Sequence, residues 1–326
     1  MTIDFGHGLI VVRLLVERYT ETVAKVFAMP NFRSIGALAV VAGLLTACAP
    51  APAETDDRPH VVATFTVVAD MARAIGGDAV RVESLMRPGA EVHGYEPTPG
   101  DLRRADAADL LIDNGLGLEA WFEQFTQRLD VPRVVVSRDT DPLPIAGSDH
   151  ANPHAWMSPR EAKRYVNVLE EALTELAPDA TAEIGEQADA YRAELDAIET
   201  ELVEAVAALP PDRRVLVTCE GAFSYLARDA GLEEVFLWPV NAEQQTTPQG
   251  VLSVARAVEE RDVPAVFCES TVSDRTMREV AEEAGTRFGG TLYVDSVSAA
   301  DGPVPTYLDL LRHDVRTIVD GLGGGA

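Results

Sequence analysis

The sequence predicts an α/β protein with two lobes, each built on a four-stranded, mostly parallel sheet flanked by helices, and joined by one long backbone helix. Three observations predict this architecture. Short apolar runs rich in β-branched residues alternate with helical stretches from residue 60 onward, this rhythm occurs twice, and a long amphipathic stretch separates its two occurrences. Apolar strands without clean polar alternation, separated by helices, are typical of parallel sheets covered on both faces.

The first lobe is predicted over residues 60–177. Its strands are expected near 61–64, 80–85, 109–113 and 133–137, and its helices near 67–75, 101–107 and 118–128. A further helix begins after Ser158. The pair Ser158-Pro159, with Glu161 three residues after the serine, has the pattern of an N-cap followed by the first helical turn.

The long helix is predicted within residues 178–209. Apolar residues recur there at steps of three or four, at Ile184, Ala188, Tyr191, Leu195, Ile198, Leu202, Val206 and Leu209. This spacing is typical of one face of a helix. Pro178-Asp179 precedes the pattern and Pro210-Pro211 ends it. At 1.5 Å per residue the helix would run roughly 45 Å, long enough to act as a rigid spine between two lobes.

The second lobe is predicted over residues 210–326. Its strands are expected near 214–219, 235–238, 265–269 and 291–295, and its helices near 222–230, 248–261, 274–284 and 306–321. Cys219 and Cys268 each lie in one of these apolar strand runs, and no C-x-x-C metal or redox motif is present. We expect two buried free thiols in preference to a disulfide, although the spacing leaves pairing open.

The N-terminal 47 residues have the features of an export signal. Residues 35–47 are apolar and uncharged, too short to span a bilayer comfortably, and end in "LTAC" at Cys48. This is the form of a bacterial lipoprotein signal, in which Cys48 is lipidated. Residues 1–28 carry acidic residues, so Met29 is the better translation start. Residues 48–59 then form a tether, and the protein is expected outside the cytoplasm, lipid-anchored to the cell membrane. A plain secretory signal or a short anchor is the alternative.

The charge balance is strongly acidic, with 53 Asp and Glu against 27 Lys and Arg and a formal net charge of −26. Such a surface cannot neutralise a row of phosphates, which argues against nucleic acid as a partner. It attracts cations without specificity. Because no feature indicates an assembly, we expect a monomer.

Four side chains that can bind metal lie at structural transitions. His93 follows the second strand of the first lobe, His154 follows its fourth, Glu220 ends the first strand of the second lobe and Asp295 ends its fourth. In parallel sheets, ligands bind beyond the carboxyl ends of the strands, so the four would converge if those edges face each other. Two imidazoles and two carboxylates suit a divalent first-row metal. Singly, each has an ordinary alternative as a helix cap or a solvated group.

Two further acids are candidates for orienting those ligands by hydrogen bonding. Glu96 lies in "YEPTP" and Glu269 in "FCES", each close in sequence to a transition between elements. A turn role and a helix-cap role are the alternatives for these two residues.

Several segments also resemble a known family. They are "HGYEPTP", "NPHAW", "TCEGAFSYLAR", "PVNAEQQTTPQ", "FCESTVSD" and "GTLYVDSVS", in order across about residues 60–322. They are similar to the metal receptors of bacterial ABC importers, which are zinc- and manganese-binding lipoproteins with a helical backbone. The resemblance places the family's ligands on His93, His154, Glu220 and Asp295. It implies an ABC permease and its ATPase as partners. One departure is Glu91-Val92, where the family usually has Asp-Pro before the first histidine.

The resemblance also favours manganese as the metal. Zinc-type members usually carry a histidine where this chain has Glu220, and the loop before His154 contributes only His150. Zinc prefers four ligands with nitrogen and sulfur donors, whereas Mn(II) is harder and accepts carboxylate oxygens. We therefore predict a Mn(II) receptor, with a zinc or iron receptor of the same class as the alternative.

Two functions of other classes are weaker alternatives. A secreted metallohydrolase would need an open coordination position and a general base, and the sequence has neither a HExxH nor a GxSxG motif. A surface adhesin has no sequence feature that supports it. No catalytic residues are predicted.

Overall fold

The computed structural model of this chain describes residues 56–126, 129–240 and 247–324. The predicted signal region, the alternative start Met29 and the lipidation site Cys48 lie outside these residues. Within them, short parallel strands alternate with helices, and one helix is far longer than the rest. The predicted α/β class is confirmed.

The first lobe is built on one four-stranded parallel sheet. Its strands are β1 (His60–Ala63), β2 (Arg81–Ser84), β3 (Leu110–Asp113) and β4 (Arg133–Val135), in the order β2-β1-β3-β4. The helices α1 (Thr66–Gly76), α2 (Pro99–Asp106) and α3 (Ala120–Thr126) connect them. The two central strands are buried along their whole length, as expected for strands covered on both faces. All four strands run the same way, so their carboxyl ends lie at one edge.

Two consecutive helices follow, α4 (Pro159–Leu176) and α5 (Thr181–Ala208). Ser158 caps α4 as predicted, because its hydroxyl accepts a hydrogen bond from the backbone N–H of Glu161. Helix α5 has 28 residues and is therefore about 42 Å long. Every residue of the predicted apolar face is buried, from Ile184 to Leu209. The spacing of the apolar residues in the sequence therefore predicted both the position of the helix and the face that it buries.

The second lobe contains the four predicted strands, which form two parallel pairs where the sequence predicted one four-stranded sheet. Strand β5 (Val215–Glu220) pairs with β6 (Glu233–Trp238), and β7 (Ala265–Glu269) pairs with β8 (Arg287–Leu292). Strands β5 and β7 lie side by side between the pairs. The helices of this lobe are α6 (Ser224–Ala230), α7 (Pro248–Glu260), α8 (Arg275–Glu283) and α9 (Tyr307–Leu322).

One hydrophobic core is shared by the two lobes, and each lobe also has a smaller cluster of its own. Helix α5 packs against α1 and α4 of the first lobe and against α6 and α9 of the second. The same buried cluster contains Phe65 and Trp156 from the first lobe, Leu195 from α5, and Phe223 and Tyr307 from the second lobe. Because close-packed interiors resist deformation, this shared core opposes large hinge motion between the lobes.

The last strand differs from its prediction. The sequence predicted β8 near 291–295, but the strand ends at Leu292, and Asp295 lies in the loop that follows. The strand begins earlier than predicted, at Arg287, because Gly289-Gly290 interrupts the apolar pattern of its first half. A Cβ on Gly289 would lie 2.5 Å from Cε1 of Phe267 in β7, so the close approach of these two strands requires glycine.

The prediction of two free thiols is wrong. Cys219 and Cys268 form a disulfide, with their Cα atoms 4.9 Å apart. They occupy neighbouring strands, β5 and β7, at the same level, which the sequence alone could not show. The disulfide therefore holds these two strands together one residue before Glu220 and one residue before Glu269.

None of the helices within residues 56–126, 129–240 and 247–324 combines the length and the hydropathy that a membrane-spanning helix needs.

The disulfide predicts a measurable contribution to stability. It closes a loop with a sequence separation of 49 residues. Replacing both cysteines, as Cys219→Ala with Cys268→Ala, should lower the free energy of unfolding by about 2–4 kcal/mol. Urea unfolding of the double variant and of the wild-type protein under oxidising conditions measures the difference. Equal unfolding free energies would contradict the pairing, and the wild-type protein in a reductant serves as the control.

Candidate metal centre

His154 lies at the centre of the candidate site. Pro153 precedes it, and a short 3-10 turn from Ala155 to Met157 leads from it to α4. Its side chain is completely buried. Nδ1 of the ring lies 2.9 Å from Oδ1 of Asn152, which directs Nε2 toward the other candidate ligands.

His93 lies in the loop between β2 and α2. Its Nε2 is 3.1 Å from Nε2 of His154, and the two rings meet edge to face with centroids 5.0 Å apart. The carboxylate of Glu91 accepts hydrogen bonds from the backbone N–H groups of His93 and Gly94, at 2.6 and 2.7 Å. The indole N–H of Trp121 donates to the carbonyl of Val92 at 3.0 Å. These contacts stabilise the loop around Glu91-Val92, the position at which the family usually has Asp-Pro.

Glu220 is the last residue of β5. Its Oε1 lies 3.8 Å from Nε2 of His93. Its backbone N–H lies 3.2 and 3.3 Å from the two carboxylate oxygens of Glu269, at the end of the adjacent strand β7. The Cys219–Cys268 disulfide joins the same two strands one residue earlier. The end of β5 that carries Glu220 is therefore joined to β7 by the disulfide and by the hydrogen bond to Glu269.

Asp295 lies in the loop after β8 and faces His154. Its Oδ1 is 3.6 Å from Nε2 of His154, and the hydroxyl of Thr271 donates to its Oδ2 at 3.3 Å. Oδ1 is buried and has no hydrogen-bond partner among the described residues. A buried carboxylate oxygen without a donor is costly, unless a cation compensates it.

The structure brings the four predicted residues to one place. Ligand atoms of His93, His154 and Glu220 lie within 4.8 Å of one another, and those of Glu91, His93 and Asp295 do so as well. His154, Glu220 and Asp295 are buried. The cluster thus draws two donors from each lobe and is largely shielded from water.

The electrostatics of the cluster suit a divalent cation. Burial lowers the pKa of His93, and this outweighs the opposing effect of Asp295, so the ring is neutral and has a lone pair to offer. Burial acts to raise the pKa of Asp295, but the proximity of His154 and His93 outweighs it, so the pKa lies below its usual value. Burial raises the pKa of Glu269 to about 8, so this acid adds little negative charge at neutral pH.

The two predicted orienting acids differ in their surroundings. Glu269 is buried and contacts the backbone of Glu220, as an orienting residue should. Glu96 is exposed on its loop. No hydrogen bond joins Glu96 to the four candidate ligands in the described part of the chain. Its orienting role stays a prediction that no contact supports.

Three contributing residues were missed in the sequence. Asn152 donates to the carbonyl of Gly221 at 2.7 Å, Trp156 donates to the carbonyl of Val294 at 3.0 Å, and Glu91 caps the His93 loop. Asn152 and Trp156 lie in "NPHAW", on either side of His154. Their proximity in sequence was a usable signal, but which strand ends pass beside them depends on the packing of the lobes.

Comparisons with known proteins agree on one class. The family described as zinc-uptake complex component A, periplasmic (ZnuA), matches residues 61–321. The chain is 46% identical over 276 residues to the iron-binding protein YfeA of Yersinia pestis, covering 83% of this chain and 89% of that protein. It is 33% identical over 270 residues to the manganese-binding lipoprotein MntA of Halalkalibacterium halodurans, covering 82% and 90%.

A solved structure shows the same fold. The Mn-bound periplasmic metal-binding protein of Candidatus Liberibacter asiaticus is 34% identical and aligns with a TM-score of 0.77, over 81% of this chain and 100% of that one. The similarity therefore extends over most of the chain.

The contact between Glu269 and Glu220 predicts a graded effect on metal binding. Glu269→Gln keeps a side-chain oxygen for the backbone N–H of Glu220, so Mn(II) affinity should stay within about threefold of the wild-type value. Glu269→Ala removes that acceptor and should weaken binding by about tenfold or more. A buffered competition titration of the purified variants measures both. Equal affinities of the Ala variant and the wild-type protein would show that Glu269 does not position Glu220.

Proposed function

Because this chain belongs to the family of periplasmic metal-uptake components, we propose that it captures one divalent first-row metal ion at His93, His154, Glu220 and Asp295. The ion is cargo, which the protein delivers to an ABC permease and its ATPase. Its action consists of binding and release, without covalent chemistry. The metal-binding ABC receptor class follows from family membership, whereas these ligands, this metal and this delivery are our proposal.

One observation supports the ligand assignment above the others. Donors from four separate segments meet in a buried place, and Oδ1 of Asp295 there has no hydrogen-bond partner among the described residues. Water is largely excluded, so hydration cannot offset the cost of burying these groups. A bound cation would compensate the carboxylates and accept the lone pairs of both imidazoles.

Mn(II) is the ion we propose first. The donor set is two imidazole nitrogens and two carboxylates, without thiolate because both cysteines are in the disulfide. Carboxylate oxygen suits Mn(II) better than the nitrogen and sulfur donors that zinc prefers. One relative is named as a manganese-binding lipoprotein.

Iron is the second candidate. A relative that is 46% identical to this chain over 276 residues is named as an iron-binding protein. Fe(II) lies next to Mn(II) in the Irving–Williams order and accepts the same donors. Zinc binds more tightly than either ion at most such sites, so the metal found in a purified sample reflects supply as well as preference.

Receptor function is favoured over the metallohydrolase and adhesin alternatives. A hydrolytic metal site keeps a coordination position open for water and substrate. Here four protein donors from both lobes surround the place for the ion, and three of the four residues are buried. The proposal also includes a monomer outside the cytoplasm, lipid-anchored through Cys48.

The ligand assignment predicts large losses of affinity. Glu220→Ala or Asp295→Ala should each weaken Mn(II) binding by at least about tenfold, equivalent to roughly 1.4 kcal/mol, because each removes a direct donor. A competition titration against a buffered chelator measures the change. Asp212→Ala removes an exposed carboxylate and serves as the matched control. Unchanged affinity in both site variants would remove the assignment.

The identity of the metal has a separate test. Protein isolated from cells supplied with equal manganese, iron and zinc should contain mainly manganese by elemental analysis, at one ion per chain. Anaerobic competition of Mn(II) against Fe(II) then compares the two leading ions directly. A site filled with iron that manganese fails to displace would overturn the manganese proposal and leave the receptor function intact.

A further inference from the structure

Asn152 makes contacts in both lobes with one side chain. Its Oδ1 lies 2.9 Å from Nδ1 of His154 and accepts a hydrogen bond from the His154 backbone N–H at 3.1 Å. Its Nδ2 donates to the carbonyl of Gly221 at 2.7 Å and to the hydroxyl of Ser224 at 3.2 Å. The residue is buried. Gly221 directly follows Glu220, so the amide connects the neighbourhoods of two candidate ligands.

The orientation of this amide follows from its partners. The carbonyl of Gly221 can only accept a hydrogen bond, so the NH₂ end of Asn152 must face it. The backbone N–H of His154 can only donate, so Oδ1 must face His154. The positions of the oxygen and of the NH₂ group in the amide are therefore determined by one partner that can only accept and one that can only donate a hydrogen bond.

That orientation determines the tautomer of His154. Oδ1 of Asn152 is an acceptor, so the ring nitrogen facing it, Nδ1, must carry a proton. In the neutral ring, Nε2 then keeps its lone pair and points at the place where the four donors meet. His93 differs, because its Nδ1 is buried without a partner among the described residues. Nδ1 of His154 therefore has an acceptor that fixes its proton, whereas Nδ1 of His93 has no such acceptor among the described residues.

The backbone around Asn152 is also held. Its N–H donates to the carbonyl of Leu143 at 2.7 Å, and its own carbonyl accepts from the hydroxyl of Tyr225 at 2.7 Å. Asn114 donates to the carbonyl of Pro153 at 3.0 Å. The backbone that carries the Asn152 side chain is therefore held by contacts from three other segments.

We infer that Asn152 is a positioning residue, through which the carbonyl of Gly221 in the second lobe sets the metal-binding tautomer of His154 in the first. This inference rests on the function proposed above. Hydrogen-bond partners of metal-binding histidines fix the tautomer and orientation of the ring, and this amide also contacts both lobes. A displacement of the β5 end would therefore disturb His154 as well as Glu220. The metal bonds of His154 and Glu220 would then weaken together, which offers a route for release of the ion at the permease.

Two substitutions separate the roles of the amide. Asn152→Ala removes the acceptor for Nδ1–H. Asn152→Asp keeps that acceptor but loses the donor to Gly221. Asn167→Ala is the matched control, since Asn167 is an exposed asparagine of α4. Thermal unfolding of each variant verifies that it is folded.

The first measurement uses the metal-free protein. Long-range ¹H–¹⁵N correlation spectra report which ring nitrogen of His154 carries the proton. We expect Nδ1–H in the wild-type protein, in Asn167→Ala and in Asn152→Asp, and a shift toward Nε2–H in Asn152→Ala. An unchanged Nδ1–H tautomer in Asn152→Ala would overturn the inference, because a purely structural asparagine would leave the tautomer as it is.

The second measurement is Mn(II) affinity by competition titration. Asn152→Ala should bind at least tenfold more weakly than the wild-type protein, with Asn152→Asp restoring part of the loss. Affinity within threefold in Asn152→Ala, or equal losses in the Ala and Asp variants, would contradict the inference. His154→Ala keeps the two proposals apart. If His154→Ala binds Mn(II) as tightly as the wild-type protein, the proposed metal site itself is wrong. If His154→Ala weakens Mn(II) binding but Asn152→Ala does not, the site stands and only the role of Asn152 is wrong.

Discussion

The site depends on how the segment from Asn152 to Trp156 lies against the second lobe. Asn152 bonds to the carbonyl after Glu220, Trp156 bonds to the carbonyl before Asp295, and His154 lies between them. The first and last residues of this five-residue segment thus contact the backbone beside both candidate ligands of the second lobe. These hydrogen bonds are buried, so losing one would leave an unsatisfied polar group and carry a full desolvation cost. The spacing of three donors is therefore set by backbone positions as well as by side-chain rotamers.

The rest of the fold holds that arrangement in place. The long helix and the shared core oppose hinge motion, and the disulfide with Glu269 fixes the end of β5. Against this rigidity, the loop that carries His93 is held by a few polar contacts, from Glu91, Trp121 and Ser296. The first lobe therefore contributes one donor from a rigid segment and one from a surface loop. Such a division suits a receptor that must bind an ion tightly and also give it up.

Much of this could be predicted from the sequence, for identifiable reasons. The period of the apolar residues located α5, and the Ser158-Pro159 pair located the start of α4. The rule that parallel strands present their carboxyl ends at one edge predicted that His93, His154, Glu220 and Asp295 would converge if the edges of the two lobes face each other. Residue type and position relative to strands were sufficient for these predictions.

What the sequence could not supply depends on packing between distant segments. The Cys219–Cys268 pair required knowing that β5 and β7 are neighbours, and the true extent of β8 required seeing Gly289 against Phe267. Asn152 gave no periodic or motif signal of its own, because its importance comes from the carbonyl of Gly221, 69 residues later. Local pattern predicts elements, whereas hydrogen bonds between lobes appear only in three dimensions.

The central claim is that one ion binds where the four donors meet. A crystal structure of the manganese-loaded protein, with anomalous data collected on both sides of the manganese absorption edge, tests it most directly. We expect one strong anomalous peak, coordinated by Nε2 of both histidines and by carboxylate oxygens of Glu220 and Asp295. A peak on the acidic surface, or a central peak that lacks contact with either carboxylate, would contradict the account.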